Sequence, residues 1–179
     1  MNYNLPFIPE RPAKPRNVGL TMVMDKGLSL SETEGFIESS AEFVDFVKLG
    51  FGTSLITNKL KQKIKLYQKG GIRPYLGGTL FEVFIIRGLF NDFVRFVSDL
   101  GLDLVEVSDG SMKMDNKVKC DYISKLSEKF TVISEVGSKQ ADVIIPDDEW
   151  VAMMKREVEA GSWKVIAEAR ESGNVGIYN

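Results

Sequence analysis

Leu104-Val105-Glu106-Val107-Ser108-Asp109-Gly110 is an apolar run that ends in a glutamate and then in small polar residues. The same phrase returns at Ser134-Glu135-Val136-Gly137-Ser138-Lys139 and at Ala167-Glu168-Ala169-Arg170-Glu171-Ser172-Gly173. Working outward from these, short β-branched runs occupy 19–24, 43–49, 73–76, 104–107, 131–135 and 164–169. Stretches of helical period separate them, around 32–40, 58–69, 83–100, 116–129 and 147–160. The runs begin every 24 to 33 residues, close to the roughly 30 residues of a parallel βαβ unit. Six such units in succession predict an α/β barrel of the TIM type, (β/α)8, more than an open sheet. A full barrel typically takes about 250 residues, so 179 residues accommodate about six units. The expectation is an incomplete barrel over 19–179 that stops before strands seven and eight, preceded by an extended arm over 1–18 with four prolines.

Local signals divide the chain in the same way. Ser31-Glu32-Thr33-Glu34 reads as a capping box, Thr57 and Asp147 as N-caps, and Gly70, Gly101 and Gly161 as helix ends. Thr79-Leu80-Phe81-Glu82 also fits a capping box, which makes Glu82 a helix cap. Phe93, Phe96, Val97 and Leu100 recur at helical spacing and predict a buried face.

Composition narrows the chemistry. With 23 Lys+Arg against 25 Asp+Glu the net charge is −2, without the basic excess of a nucleic-acid binder. One cysteine excludes an intrachain disulfide and a CxxC zinc site, so Cys120 reads as an inert core residue. No apolar run approaches the ~18 residues of a membrane span, and the N-terminus lacks a signal-peptide core, so a cytoplasmic location without membrane partners is expected. No histidine is present, which removes the Ser-His-Asp triad and leaves proton transfer to Lys, Asp, Glu, Tyr or Cys120.

Strand side chains alternate faces, so Glu106 shares a face with Leu104 and Ser108, Glu135 with Ile133, and Glu168 with Ile166 and Arg170. In a barrel that face is the interior, and the C-terminal strand ends form the active-site mouth. Converging carboxylates raise each other's pKa unless a cation neutralises them. Two cations could do so: Mg²⁺, held by Glu106, Glu135 and Glu168 with waters and substrate, or neighbouring basic side chains in a structural network. Lys48 lies on the face of Val44 and Phe46 and points to the same mouth. Lys139 could serve in acid/base work and Arg170 as a fork for a carboxylate or phosphate. Gly77-Gly78-Thr79 could present backbone N–H groups to an anion. Gly50-Phe51-Gly52-Thr53-Ser54-Leu55 fails as a dinucleotide fingerprint because Leu55 stands where the third glycine is needed. Tyr75, Tyr122, Trp150 and Trp163 read as packing residues.

With these residues assembled, the sequence resembles the phosphosulfolactate synthase family. The likeness rests on Met24-Asp25-Lys26-Gly27, the segment from Asp45 to Ser54, Gly77-Gly78-Thr79-Leu80-Phe81-Glu82, and the three glutamate motifs quoted above. It implies a (β/α)8 barrel and Mg²⁺-dependent addition of sulfite to phosphoenolpyruvate, giving phosphosulfolactate, a step of coenzyme M biosynthesis in archaeal members. Glu106, Glu135 and Glu168 would then hold the metal, and Lys139 would deliver the proton. Lys48 and Arg170, with Gly77, Gly78, Thr79 and Ser108, would meet the anionic substrates. Self-association is compatible with this reading. Two others stand beside it: a related Mg²⁺–enolate enzyme with another substrate, and a non-catalytic barrel that acts through protein contacts, since the family includes plant heat-stress-associated relatives.

Overall fold

The computed structural model describes residues 5–137 and 145–168. Six parallel strands follow one another as β1 (Met22–Asp25), β2 (Phe46–Leu49), β3 (Arg73–Gly77), β4 (Leu104–Val107), β5 (Thr131–Val136) and β6 (Ser162–Ala167). Each pairs with its neighbour in sequence, giving the order β1-β2-β3-β4-β5-β6. Six helices alternate with them: α1 (Leu30–Ser40), α2 (Leu60–Lys69), α3 (Thr79–Ile85), α4 (Phe90–Asp99), α5 (Asn116–Ser127) and α6 (Asp147–Glu159). The sheet curls into an incomplete TIM-like barrel, as its period predicts. Trp163 of β6 reaches across to meet the ring of Phe46 on β2 edge-on at 5.9 Å. Among the described residues no helix is long and apolar enough to cross a membrane.

The period-two pattern of the strands sorts side chains between two cores. Val47, Leu49, Leu76, Val105, Val107 and Val132 face the helices and pack with Ile64, Phe81, Phe93, Val97, Ile123 and Leu126. Phe46, Tyr75, Leu104 and Ile133 face the lumen, where Leu20 and Ile166 complete the floor. Above that floor the same faces carry Lys48, Glu106, Glu135 and Glu168.

Several local expectations are corrected. The capping box that opens α1 is Ser29 with Glu32, two residues before Ser31 and Glu34. The earlier start follows from Asp25, whose Oδ1 accepts from the Gly27 and Leu28 amides and turns the chain directly into the helix. Thr57 is not the cap of α2, because its hydroxyl donates to the Thr53 carbonyl; Lys59, with φ 58°, precedes the helix. Pro146 takes the N-cap place of α6, with Asp147 as its first residue. The stretch 83–100 divides into α3 and α4 at Gly88, whose φ of 69° lets the chain reverse so that Leu89 N–H donates to Phe84. After α2 the left-handed residue is Gly71 (φ 68°), not Gly70.

The N-terminal arm is fastened by its basic residues. Lys14 Nζ donates to the carbonyls of Ala41, Val44 and Gly71, while Arg11 and Arg16 both pair with the buried Asp45. These contacts fasten the arm beside the starts of β2 and β3, opposite the mouth.

Behind β1, Asp25 is buried with Lys63 at 2.6 Å and the Tyr67 hydroxyl at 2.9 Å. Burial alone would raise the Asp25 carboxyl, but hydrogen bonds from Lys63, Gly27, Leu28 and Tyr67 outweigh it and hold the carboxyl below its ordinary value of 3.8. A carboxyl with a depressed folded pKa contributes stability that is complete above its unfolded pKa. That contribution is lost as pH falls through the folded value. Asp25→Asn should therefore melt well below the parent at neutral pH, with the gap narrowing in acid. A series of melting temperatures from neutrality downward checks this; a gap independent of pH would remove the role given to the Asp25 charge.

Candidate active site

The interior of the mouth is organised around one ammonium group. Lys48 leaves the end of β2, is buried, and brings Nζ to 2.5 Å from Glu106 Oε1 on β4. It also lies 3.9 Å from Glu135 Oε2 on β5. β3 runs between β2 and β4, so the side chain can cross only where β3 presents no side chain of its own. Gly77 and Gly78 provide that gap. A Cβ on Gly78 would stand 2.5 Å from Glu106 Oε1 and 2.8 Å from Lys48 Nζ, and one on Gly77 would strike the Glu106 backbone at 2.2 Å. Both glycines have positive φ, 146° and 58°, which alone disfavours other residues. Gly78→Ala is expected to lower turnover about 10²-fold by parting the pair, measured as initial rates; a loss under about threefold would show that the pair tolerates displacement.

Glu106 has no exposed surface. Its second oxygen accepts from the Tyr75 hydroxyl at 3.0 Å, so both oxygens have donors. Burial pushes its carboxyl above the ordinary range; Lys48 opposes that and the nearby Glu135 charge adds to it. Burial, with Glu106 beside it, likewise raises the Tyr75 hydroxyl, which stays protonated as a donor. A buried carboxyl that carries a cation on one oxygen and a phenol on the other has a fixed orientation.

Of the expected site residues, those among the described residues take these places. Lys48, Glu106 and Glu135 come together. Glu168 follows β6 on the interior face beside β5, where its amide donates to Val136 and its Cβ lies 2.7 Å from a Cβ built on Gly137. Where a shared metal ion was expected at Glu106, the counter-charge in contact is Lys48. Among the described residues, no three His, Cys, Asp or Glu side chains are grouped so that they could hold a metal ion. The Gly78 amide does not face an anion site either, because it donates to the Glu106 carbonyl at 3.2 Å. Ser108 is buried with its hydroxyl on Glu82, which also accepts from the Ser111 amide at 2.8 Å. Glu82 is thus no helix cap: α3 starts without a side-chain cap, and Glu82 ties the loop after β4 to α3. Lys139 and Arg170 lie outside the described residues.

Tyr75, read from the sequence as a packing residue, is the partner of Glu106 that sequence reasoning missed. It stands on the interior face two residues before Gly77, and that alternation was its available signal. Cys120, expected in the core, is instead half-buried on α5, and burial raises its thiol.

The arrangement is a mouth whose buried cation, Lys48, is held by carboxylates on separate strands. Against known proteins, residues 9–179 match the family model described as (2R)-phospho-3-sulfolactate synthase. The chain belongs to the phosphosulfolactate synthase family. The phosphosulfolactate synthase of Bacillus subtilis is 40% identical over 172 residues, covering 95% of this chain and 68% of that protein. That of Methanothermobacter thermautotrophicus is 36% identical over 177 residues, covering 96% of this chain and 69% of the relative. Among solved structures, the carboxyl transferase domain of Rhizobium etli pyruvate carboxylase with 3-bromopyruvate superposes with a TM-score of 0.56. Its identity is 12%, over 83% of this chain and 27% of that one. At that identity the likeness speaks for the barrel fold alone. In this phosphosulfolactate synthase family member, Lys48, Tyr75, Glu106 and Glu135 meet on the interior face of the strand ends.

Proposed function

We propose that this chain carries the catalytic mouth of a phosphosulfolactate synthase, a lyase-class enzyme that joins sulfite to phosphoenolpyruvate with Mg²⁺ as cofactor. A buried ammonium set between two carboxylates at interior strand ends, in a chain of this family, carries the reading. The sulfite sulfur lone pair forms the C–S bond to C3, the C2=C3 pair moves toward the carboxylate, and C2 then takes a proton. Negative charge thus builds on the carboxylate side, where a cation oriented in advance stabilises it best. Lys48 is that cation, aimed by Glu106, which Tyr75 in turn holds. Lys139 and Arg170, adjoining Glu135 and Glu168 in sequence, take the proton delivery to C2 and the grip on the anionic substrate.

Glu135 and Glu168 fit a magnesium ion by the chemistry of their donors: two hard carboxylates on adjacent strands and one interior face, as a partly hydrated Mg²⁺ uses. Glu106 does not fit, since Lys48 and Tyr75 take both its oxygens. When bound, Mg²⁺ supplies positive charge to the substrate carboxylate. On this reading the partners are small anions rather than nucleic acid or membrane, and the protein works in the cytoplasm.

The test is to incubate the protein with phosphoenolpyruvate and sulfite, with and without Mg²⁺, and follow phosphorus resonances, running the Bacillus subtilis relative in parallel. A new phosphomonoester signal that needs all three additions is expected. Product from the relative and none from this chain would overturn the assignment.

A further inference from the structure

Beyond the lumen, the one wholly buried basic side chain on α5 is Lys119. A helix packed on a sheet normally buries an apolar residue at such a position, because an ammonium out of water is costly unless every N–H finds an acceptor. Lys119 has three donors, and the structure supplies three acceptors. Asp109 Oδ1 lies at 2.8 Å, Glu157 Oε1 at 2.9 Å and the main-chain oxygen of Glu135 at 2.5 Å. Burial would lower the Lys119 pKa, but Glu157 and Asp109 raise it above the ordinary value and keep it charged.

The three acceptors come from three parts of the mouth's outer wall. Asp109 sits in the loop after β4, one residue beyond Ser108, whose hydroxyl is already tied to Glu82. Glu157 belongs to α6, the helix that leads into β6 and that Asn116 also contacts at 3.1 Å. Glu135 is the lumen carboxylate itself, gripped from behind by its own carbonyl while its side chain faces Lys48. A β-strand turns its carbonyl and its side chain in fixed relative directions, so holding the Glu135 oxygen fixes the direction in which its side chain leaves the strand.

We propose that Lys119 is a positioning residue: from outside the barrel it locks the ends of β4 and β5 and the α6 helix together, and so aims Glu135 into the mouth. The inference deepens the function proposed above and rests on it for its kinetic consequence, but not for its structural one.

The test uses Lys119→Met, which keeps the length of the side chain, together with Asp109→Asn, which removes one arm at a carboxyl that is 12% exposed. Two readouts are taken. Amide hydrogen exchange should accelerate at Val136, Gly137 and Glu168 in both variants while the amides of α2 keep the parent's protection. In the assay, kcat should fall about 10²-fold for Lys119→Met, the scale of an ångström-sized misplacement, with KM changed little, and Lys119→Arg should recover part of it. If Lys119→Met does not fold, Asp109→Asn decides, with the same exchange pattern and a smaller kcat loss. Unchanged exchange at the end of β5, or a full parental kcat despite that loosening, would overturn the positioning role. A parent that exchanges as described but makes no product would instead overturn the proposed function and leave the structural lock standing.

Discussion

Lys48→Met should abolish turnover and also destabilise the fold by about 3–5 kcal/mol, the cost of leaving a buried carboxylate without its partner. Glu106 has no exposed surface, so its charge has no route to water once Lys48 is gone. Only Tyr75 would remain on it. Urea denaturation at neutral pH measures the loss. The double variant Lys48→Met/Glu106→Leu separates the two effects. Replacing a buried ion pair with apolar residues of similar volume is often neutral or stabilising, so the double variant should regain most of the lost stability and remain inactive. A double variant that turned over substrate would remove Lys48 from the chemistry. One that stayed as unstable as Lys48→Met would show that packing over Gly77 and Gly78, rather than charge pairing, holds this layer.

Glu135→Gln should cut kcat/KM by about 10²–10³-fold, the range seen when one group aimed at developing charge is removed, with the fold largely retained. Glu135 is 11% exposed where Glu106 is fully buried, and its contact with Lys48 is the long one at 3.9 Å, so neutralising it leaves the close Lys48–Glu106 pair in place. The substitution keeps the shape and one oxygen while halving the carboxylate pair offered with Glu168. The concentration of Mg²⁺ needed for half-maximal rate should rise accordingly. Initial rates across a magnesium titration check both effects. An unchanged titration would detach the metal from Glu135, and an unchanged rate at saturating magnesium would detach Glu135 from catalysis.

Much of the barrel is legible in the sequence because strands and helices are coded locally. β4 is read to the residue at 104–107, and β3 and β5 are read one residue short. The runs at 19–24 and 43–49 over-reach at their starts, because residues there serve the floor and the arm rather than the ladder: Leu20 packs under the lumen and Asp45 receives Arg11 and Arg16. Alternation alone also puts Lys48, Glu106, Glu135 and Glu168 on one face. It cannot say which cation meets which carboxylate. Lys48 and Glu106 are 58 residues apart, and their contact depends on the curl of the sheet and on two glycines whose spacing looks like an ordinary turn. The roles of Tyr75, Glu82 and Lys119 were hidden for the same reason. Each is defined by a partner on another element, so a tyrosine in an apolar strand reads as packing and a glutamate in a first helical turn reads as a cap.

The aromatic contact across the barrel floor gives this molecule a gauge of its own. Of its two tryptophans, Trp150 rides on α6 while Trp163 rests edge-on against Phe46 with Lys164 over its ring. Phe46 is two residues from Lys48 on the same strand face and touches the Trp163 indole, so a displacement of that lysine is expected to register there. With Trp150 replaced by phenylalanine, the remaining fluorophore would monitor occupancy from the underside, by emission, without waiting for any bond to form.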